Sequence, residues 1–190
     1  MFSKKFLISQ VFFVAVALVS LVLYFKHSSG QPAVYGQVKN FQLVNSDNQA
    51  IGLKELRGKV WVADFFFTTC GDVCPMMSSH MGRLQEVFKP YKNVRLVSFT
   101  VNPENDTPQA LKVYAKKFKA DPKRWIFLTG SREELTRVAV ESFKLGDINQ
   151  PIFHSSYFVL VDYQGRIRGY YESKDSKNID KIIQDLRQIL

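Results

Sequence analysis

A nearly unbroken apolar run, VWVADFFF at residues 60–67, constrains the fold of this chain more than any other feature. Such a run is typical of a central strand that other layers cover on both faces. It leads directly into Thr68-Thr69-Cys70, so a cysteine follows the carboxyl end of the strand. Because open α/β sheets bind ligands at that edge, the sequence predicts a functional site there.

The chain from residue 38 onward alternates strand-like and helix-like stretches with short connectors, which indicates an α/β domain. A turn-rich segment at 45–48 predicts an opening hairpin. Further strands are predicted at 94–101, 125–128, 157–162 and 166–171, the last two joined as a hairpin around residues 163–165. Helices are predicted behind Pro75, behind Thr107-Pro108, from Ser131 to Phe143 with a capping box at 131–134, and over 179–190. This order predicts a thioredoxin-like fold with an N-terminal β extension.

Residues 6–25 form an uncharged apolar segment of a length that crosses the roughly 30 Å hydrocarbon core of a bilayer as one transmembrane helix. A cleaved signal peptide is the alternative, although the run is long for one and no Ala-x-Ala site follows. Lys4 and Lys5 favour a cytoplasmic N-terminus. The expected organisation is therefore a cytoplasmic segment 1–5, an anchor 6–25, a linker 26–37 and a domain 38–190 on the outer, periplasmic side of the cytoplasmic membrane.

The formal charge of +9 does not indicate nucleic acid binding. Setting aside Lys4, Lys5 and Lys26, which flank the apolar segment, leaves 23 basic against 17 acidic residues, spread without a basic run. This distribution lacks the arginine-rich or aromatic pattern of nucleic-acid-binding proteins. A mild basic excess fits either a position near an anionic membrane or a simply solvated surface.

The only two cysteines, Cys70 and Cys74, are too few for a disulfide scaffold and lie four positions apart. On a helical turn both sulfurs would point to one side. Paired thiolates favour copper(I), zinc or iron–sulfur, but they cannot complete a four-thiolate cluster. Among the three histidines, His27 lies beside the apolar segment and His80 lies within the motif helix, so His154 is the best candidate for a third ligand.

Simpler interpretations accompany each of these residues. The two cysteines could be small buried apolar side chains, and the histidine a hydrogen-bonded loop residue. The methionines that follow the motif recur at helical spacing, which is more typical of core filling than of copper ligation. Asp72 and Asp147 could tune the site electrostatically, although Asp72 is more typical of a turn or helix start.

Several stretches resemble the Sco/SenC family of copper-binding proteins, and the resemblance covers nearly the whole chain from Phe41 onward. The segment FTTCGDVCP at 67–75 is similar to the family motif, in which two cysteines three residues apart follow an apolar strand and precede a proline. The segments 99–108 (FTVNPENDTP), 125–130, 154–157 and 161–166 also resemble family segments. Thr69, Gly71 and Asn102 depart from frequent family residues, which indicates a divergent branch.

The resemblance implies that Cys70, Cys74 and His154 bind one copper ion per chain, as Cu(I) and also as Cu(II). It further implies a metallochaperone that helps to build the dinuclear copper centre of cytochrome c oxidase, so the expected partner is the oxidase subunit carrying that centre or another copper-receiving membrane protein. Asp147 stands near a position where the family often has an acidic residue. Such a chaperone performs no bond-making catalysis.

Two other functions stay open. A thiol-disulfide oxidoreductase would use Cys70 and Cys74 as a redox pair that reduces client cysteines before metal loading. Typical redox members of this fold have two residues between the cysteines, and such a pair has no need of His154. A copper-linked redox sensor would combine the two chemistries.

Overall fold

The computed structural model describes residues 13–21, 31–146 and 156–190. Residues 13–21 form helix α1, whose apolar side chains, including Phe13 and Val19, are exposed. Among the described residues, no helix has both the length and the apolarity needed to cross a membrane. The rest of the predicted anchor at 6–25 lies outside the described residues, so the transmembrane helix stays a prediction.

Residues Ala33–Leu190 form a separate compact unit. Its strands are β1 (Gly36–Gln37), β2 (Gln42–Asn45), β3 (Ala50–Gly52), β4 (Val60–Phe66), β5 (Val94–Thr100), β6 (Trp125–Thr129), β7 (Tyr157–Val161) and β8 (Arg166–Glu172). Its helices are α2 (Leu53–Leu56), α3 (Val73–Val87), α4 (Pro108–Lys117), α5 (Arg132–Arg137) with a π-helical turn (Val138–Ser142), and α6 (Ser176–Gln188). The strand β1 begins two residues before the predicted domain start.

The described strands form one sheet in the order β1-β8-β7-β4-β5-β6-β2-β3. The strands β4, β5 and β6 are parallel, whereas the other pairs are antiparallel. The parallel centre and the flanking β7–β8 hairpin confirm the predicted thioredoxin-like core, and β1 with the β2–β3 hairpin forms the N-terminal β extension.

All seven residues of β4 are buried because helices cover both faces of the sheet. Val62 and Phe66 pack on the face of α3, α4 and α6, whereas Trp61 and Phe65 pack on the face of α2 and α5. The alternation follows from the two-residue period of a strand. Asp64 shares the face of Val62, so this run places a carboxyl group inside the core.

One local prediction held only in part. Ser131 caps α5 by accepting a hydrogen bond from the backbone N–H of Glu134, as the sequence predicted. The Glu134 side chain does not return the bond expected of a capping box, because it accepts from the N–H of Gln42 and pairs with Arg137 instead. The predicted helix to Phe143 also changes to a π-helical turn at Val138.

Candidate metal and thiol site

The two cysteines lie on different structural elements at the carboxyl edge of the sheet. Cys70 is in the connection 67–72 between β4 and α3, whereas Cys74 is in the first turn of α3. The prediction that one helical turn carries both sulfurs is therefore wrong for Cys70, which precedes the helix by three residues. The described structure nevertheless brings the pair together, since a hydrogen bond joins the two thiols.

The two thiols differ in burial and, as a result, in acidity. Cys74 is 0% exposed, whereas Cys70 is partly exposed. Burial, a hydrogen bond to Cys70 and the nearby Asp64 raise the pKa of Cys74 to about 12. Partial burial also works against ionisation of Cys70, but hydrogen bonds from the Cys74 thiol and from backbone N–H groups outweigh it and lower the pKa of Cys70.

The start of α3 supplies the groups that stabilise a Cys70 thiolate. Asp72 occupies the N-cap position but makes no side-chain capping hydrogen bond. The backbone N–H groups of Asp72, Val73 and Cys74 act on the Cys70 sulfur instead. Helix N-termini favour anions through such unpaired N–H groups, which is why they activate cysteines.

Two buried carboxyl groups near this edge were not singled out from the sequence. Asp64 is 1% exposed, and its Oδ1 has no hydrogen-bond partner among the described residues. Burial raises its pKa to about 7, although a hydrogen bond from Ser98 opposes the shift. Asp106 is 0% exposed and binds Thr68 in the cysteine connection. An acidic residue inside an apolar run could have flagged Asp64, whereas Asp106 was noted only as part of the segment 99–108 that resembles a family segment.

The other described candidates, the methionines and His80, lie on α3 after Cys74. Met77 and Met81 are 0% exposed in the core, which confirms the core-filling interpretation. His80 packs edge-on against Phe158, with ring centroids 6.4 Å apart. Burial and the charge of Arg83 lower the pKa of His80.

The predicted ligand His154 and the predicted tuning residue Asp147 lie outside the described residues, as does His27. Within the described part of the chain, no three His, Cys, Asp or Glu side chains cluster in a way that could hold a metal ion. Two adjacent thiols, one of them accessible and favoured as thiolate, fit a soft ion such as copper(I). The described residues thus include two of the three predicted donors.

Comparisons with known proteins agree on one family. The SCO1/SenC family model matches residues 30–190. The SCO1 protein homolog of Bacillus subtilis is 37% identical over 158 residues, covering 80% of this chain and 81% of the relative.

Two solved structures extend the comparison. The structure of BsSco, described as a member of the Sco family of cytochrome c oxidase assembly proteins with a disulfide switch, matches with TM-score 0.73 and 36% identity, covering 84% of this chain and 95% of that one. Arabidopsis thaliana ScoI with copper bound matches with TM-score 0.67 and 28% identity, over 82% and 99%.

Proposed function

The chain belongs to the SCO1/SenC family, and from that premise we propose that it is a membrane-anchored copper metallochaperone. Its cargo is one copper ion, held by Cys70, Cys74 and His154. The client is the cytochrome c oxidase subunit that carries the dinuclear copper centre, or another copper-receiving membrane protein.

The asymmetric thiol pair is the observation that carries the proposal. A fully buried pair would not exchange its cargo, whereas a pair open on the Cys70 side admits an incoming thiol from a client. Cys74 is rigidly packed in the first turn of α3, so it can retain the ion while Cys70 exchanges. The lowered pKa of Cys70 helps because the thiolate is the form that binds metal.

The client and the location rest on relatives and on the N-terminal sequence. BsSco belongs to a family of cytochrome c oxidase assembly proteins, and Arabidopsis thaliana ScoI binds copper. The uncharged segment 6–25 would anchor the domain on the outer side of the cytoplasmic membrane. An anchor raises the effective concentration of the domain near a membrane-embedded client.

Anaerobic copper(I) titration of the reduced chain, followed by X-ray absorption, tests the ligand set. We expect one copper per chain with two sulfurs and one nitrogen. Cys70→Ala should abolish stoichiometric binding, and His154→Ala should lose the nitrogen and weaken binding. His80→Ala is the matched control and should bind as wild type. Unchanged affinity in both Cys70→Ala and His154→Ala would reject the assigned site.

Thiol-disulfide exchange is the second candidate, because Cys70 has the lowered pKa of an attacking thiol and Cys74 is held as a buried thiol. Cys70 would attack a client disulfide, Cys74 would displace the client thiol, and the pair would end oxidised while the client gains two electrons and two protons. Here His154→Ala should leave client reduction unchanged, whereas either cysteine substitution should stop it. If oxidation of the pair also releases copper, the protein acts as a copper-linked redox sensor.

A further inference from the structure

The connection that carries Cys70 is tied to a distant part of the chain through one buried carboxyl group. Asp106, which is 0% exposed, accepts hydrogen bonds from the backbone N–H of Thr68 at 3.2 Å to each of its oxygens. The Thr68 hydroxyl donates to Oδ1 and the Thr100 hydroxyl donates to Oδ2. Thr68 lies two residues before Cys70, so this contact acts directly on the cysteine connection.

Asp106 is itself held in place from its own side. Its backbone N–H donates to the carbonyl of Asn102 at 2.9 Å. The next residue, Thr107, caps α4 by accepting from the N–H of Ala110, and Pro108 occupies the first turn. Thr100 lies at the end of β5, opposite Phe66 of β4. Asp106 therefore lies in the loop between the end of β5 and the N-cap of α4, and hydrogen bonds on both sides hold it there.

No described ion pair involves Asp106, so its partners are neutral donors. Burying a carboxyl group without a cation is costly unless hydrogen bonds compensate. Three of the four hydrogen bonds that this carboxyl group accepts come from Thr68, in the cysteine connection, and the fourth comes from Thr100 at the end of β5. The arrangement thus holds the cysteine connection in place, although burying the Asp106 carboxyl group is itself unfavourable.

Among the described residues, the other contacts of this connection are with its own neighbours and with the start of α3, where backbone N–H groups bind the Cys70 sulfur and the backbone of Phe67 binds the Cys74 sulfur. The N–H of Val101 donates to the carbonyl of Phe66 at 2.8 Å, and the N–H of Cys70 donates to the carbonyl of Phe67 at 3.2 Å. Neither bond fixes residues 68–69 against the rest of the protein. Cys74, by contrast, is held by α3 and by its burial in the core. Loss of the Asp106 contact would therefore loosen residues 68–69, leave the Cys70 sulfur held only by the Cys74 thiol and the backbone N–H groups at the start of α3, and leave Cys74 in place.

We propose that Asp106 is a positioning residue that holds the Cys70 connection within reach of Cys74, and so sets the affinity of the pair for a soft metal ion and the stability of its disulfide. The copper part rests on the proposed function. The disulfide part does not, because it concerns only the distance between two thiols of this chain.

The test uses the full-length chain in detergent with Asp106→Asn, which exchanges one accepting oxygen for a donor facing Thr68 or Thr100. The matched control is Thr100→Val, which removes a hydrogen bond from the same carboxyl group but leaves the Thr68 contacts intact. Two quantities are measured: the Cys70–Cys74 reduction potential against a dithiol couple, and copper(I) affinity by competition with a chromophoric chelator.

Asp106→Asn should lower the effective concentration of Cys70 at Cys74 about tenfold, which raises the reduction potential by about 30 mV. Its copper(I) affinity should fall about tenfold as well. Thr100→Val should lower the thermal stability but leave both quantities within about twofold of wild type. If the two variants change both quantities equally, or if folded Asp106→Asn matches wild type, Asp106 is only structural and the proposal is overturned.

Failure of the proposed function can be distinguished from failure of the positioning role. A wild-type chain without copper(I) binding would reject the proposed function, yet the shift in reduction potential would still test the positioning role. If Asp106→Asn does not fold, Thr68→Val tests the positioning role instead. It removes only the hydroxyl donor on the cysteine side and should shift the potential in the same direction, by about a threefold change in equilibrium constant. An unshifted potential in folded Thr68→Val would overturn the proposal.

Discussion

Iodoacetamide should label Cys70 of the reduced protein far faster than Cys74 at about pH 7.5. Cys74, with a pKa of about 12, would be thiolate in only about 3 molecules per 100,000 at that pH. Cys70, with a pKa below its ordinary value of 9.0, would be thiolate in at least about 3 per 100. The thiolate populations thus differ by at least about a thousandfold.

Nucleophilicity offsets part of this difference. A thiolate of higher pKa is intrinsically more reactive, with a Brønsted coefficient of about 0.4–0.5. Over three pKa units this makes the Cys74 thiolate about 20-fold more reactive than the Cys70 thiolate. Dividing the thousandfold difference by about 20 leaves an expected ratio of rates of at least about 50, and the complete burial of Cys74 increases it further.

Differential isotopic labelling with peptide mass spectrometry measures both rates in one sample. Cys74→Ala is the informative variant, because it removes one hydrogen bond to the Cys70 sulfur and leaves the backbone N–H groups in place. Labelling of Cys70 should then slow about threefold. Rates of Cys70 and Cys74 that agree within about threefold in wild type, or a faster Cys74, would refute the reasoning from burial and the helix start.

Three predictions concern stability. Burial raises the pKa of Asp64 from 3.8 to about 7, so the folded state binds this proton more tightly than the unfolded state. The protonated carboxyl group therefore contributes its full stabilisation below the unfolded pKa, and this contribution is lost as the pH rises through about 7. Asp64→Asn should remove this pH dependence, which changes the free energy of unfolding by at most about 4 kcal/mol between about pH 4 and 8 in urea titrations. A variant whose free energy of unfolding varies with pH as steeply as that of wild type would contradict this prediction. Asp162→Ala removes a buried carboxylate that pairs with Arg166 and Arg168 and accepts hydrogen bonds from two backbone N–H groups of the β7–β8 turn, and it should lower the melting temperature by about 10 °C in calorimetry, whereas a change under about 3 °C would contradict the role of this carboxylate. Met81→Ala should cost about 2–5 kcal/mol in urea titrations because Met81 is 0% exposed, and a loss below about 1 kcal/mol would show that the core refills the cavity.

Much of the fold could be predicted because its signals are local. The apolar run at 60–67 became β4, and Thr107-Pro108 became the start of α4. The predicted hairpin around residues 163–165 formed between β7 and β8, with Gly165 at a positive φ of 80°. Each of these signals depends on the period of apolar residues or on the conformational limits of proline and glycine.

Signals that depend on distant residues were less informative. Glu134 stands at the right position for a capping box, yet it binds the N–H of Gln42, 92 residues away in sequence. The spacing of the cysteines predicted one helical turn, but α3 begins only at Val73. In both cases a local rule competed with contacts that appear only when the chain is folded.

The sequence by itself determined that a central buried strand leads into two neighbouring thiols at the carboxyl edge of an α/β sheet, since periodicity and spacing are local properties. Only the tertiary structure decided that the two thiols differ, because burial and the unpaired N–H groups of α3 act on Cys70 and Cys74 differently. It also decided that Asp106, 38 residues beyond Thr68, anchors the connection before Cys70. Burial and long-range hydrogen bonds depend on which segments the fold brings together, and no local pattern in the chain encodes them.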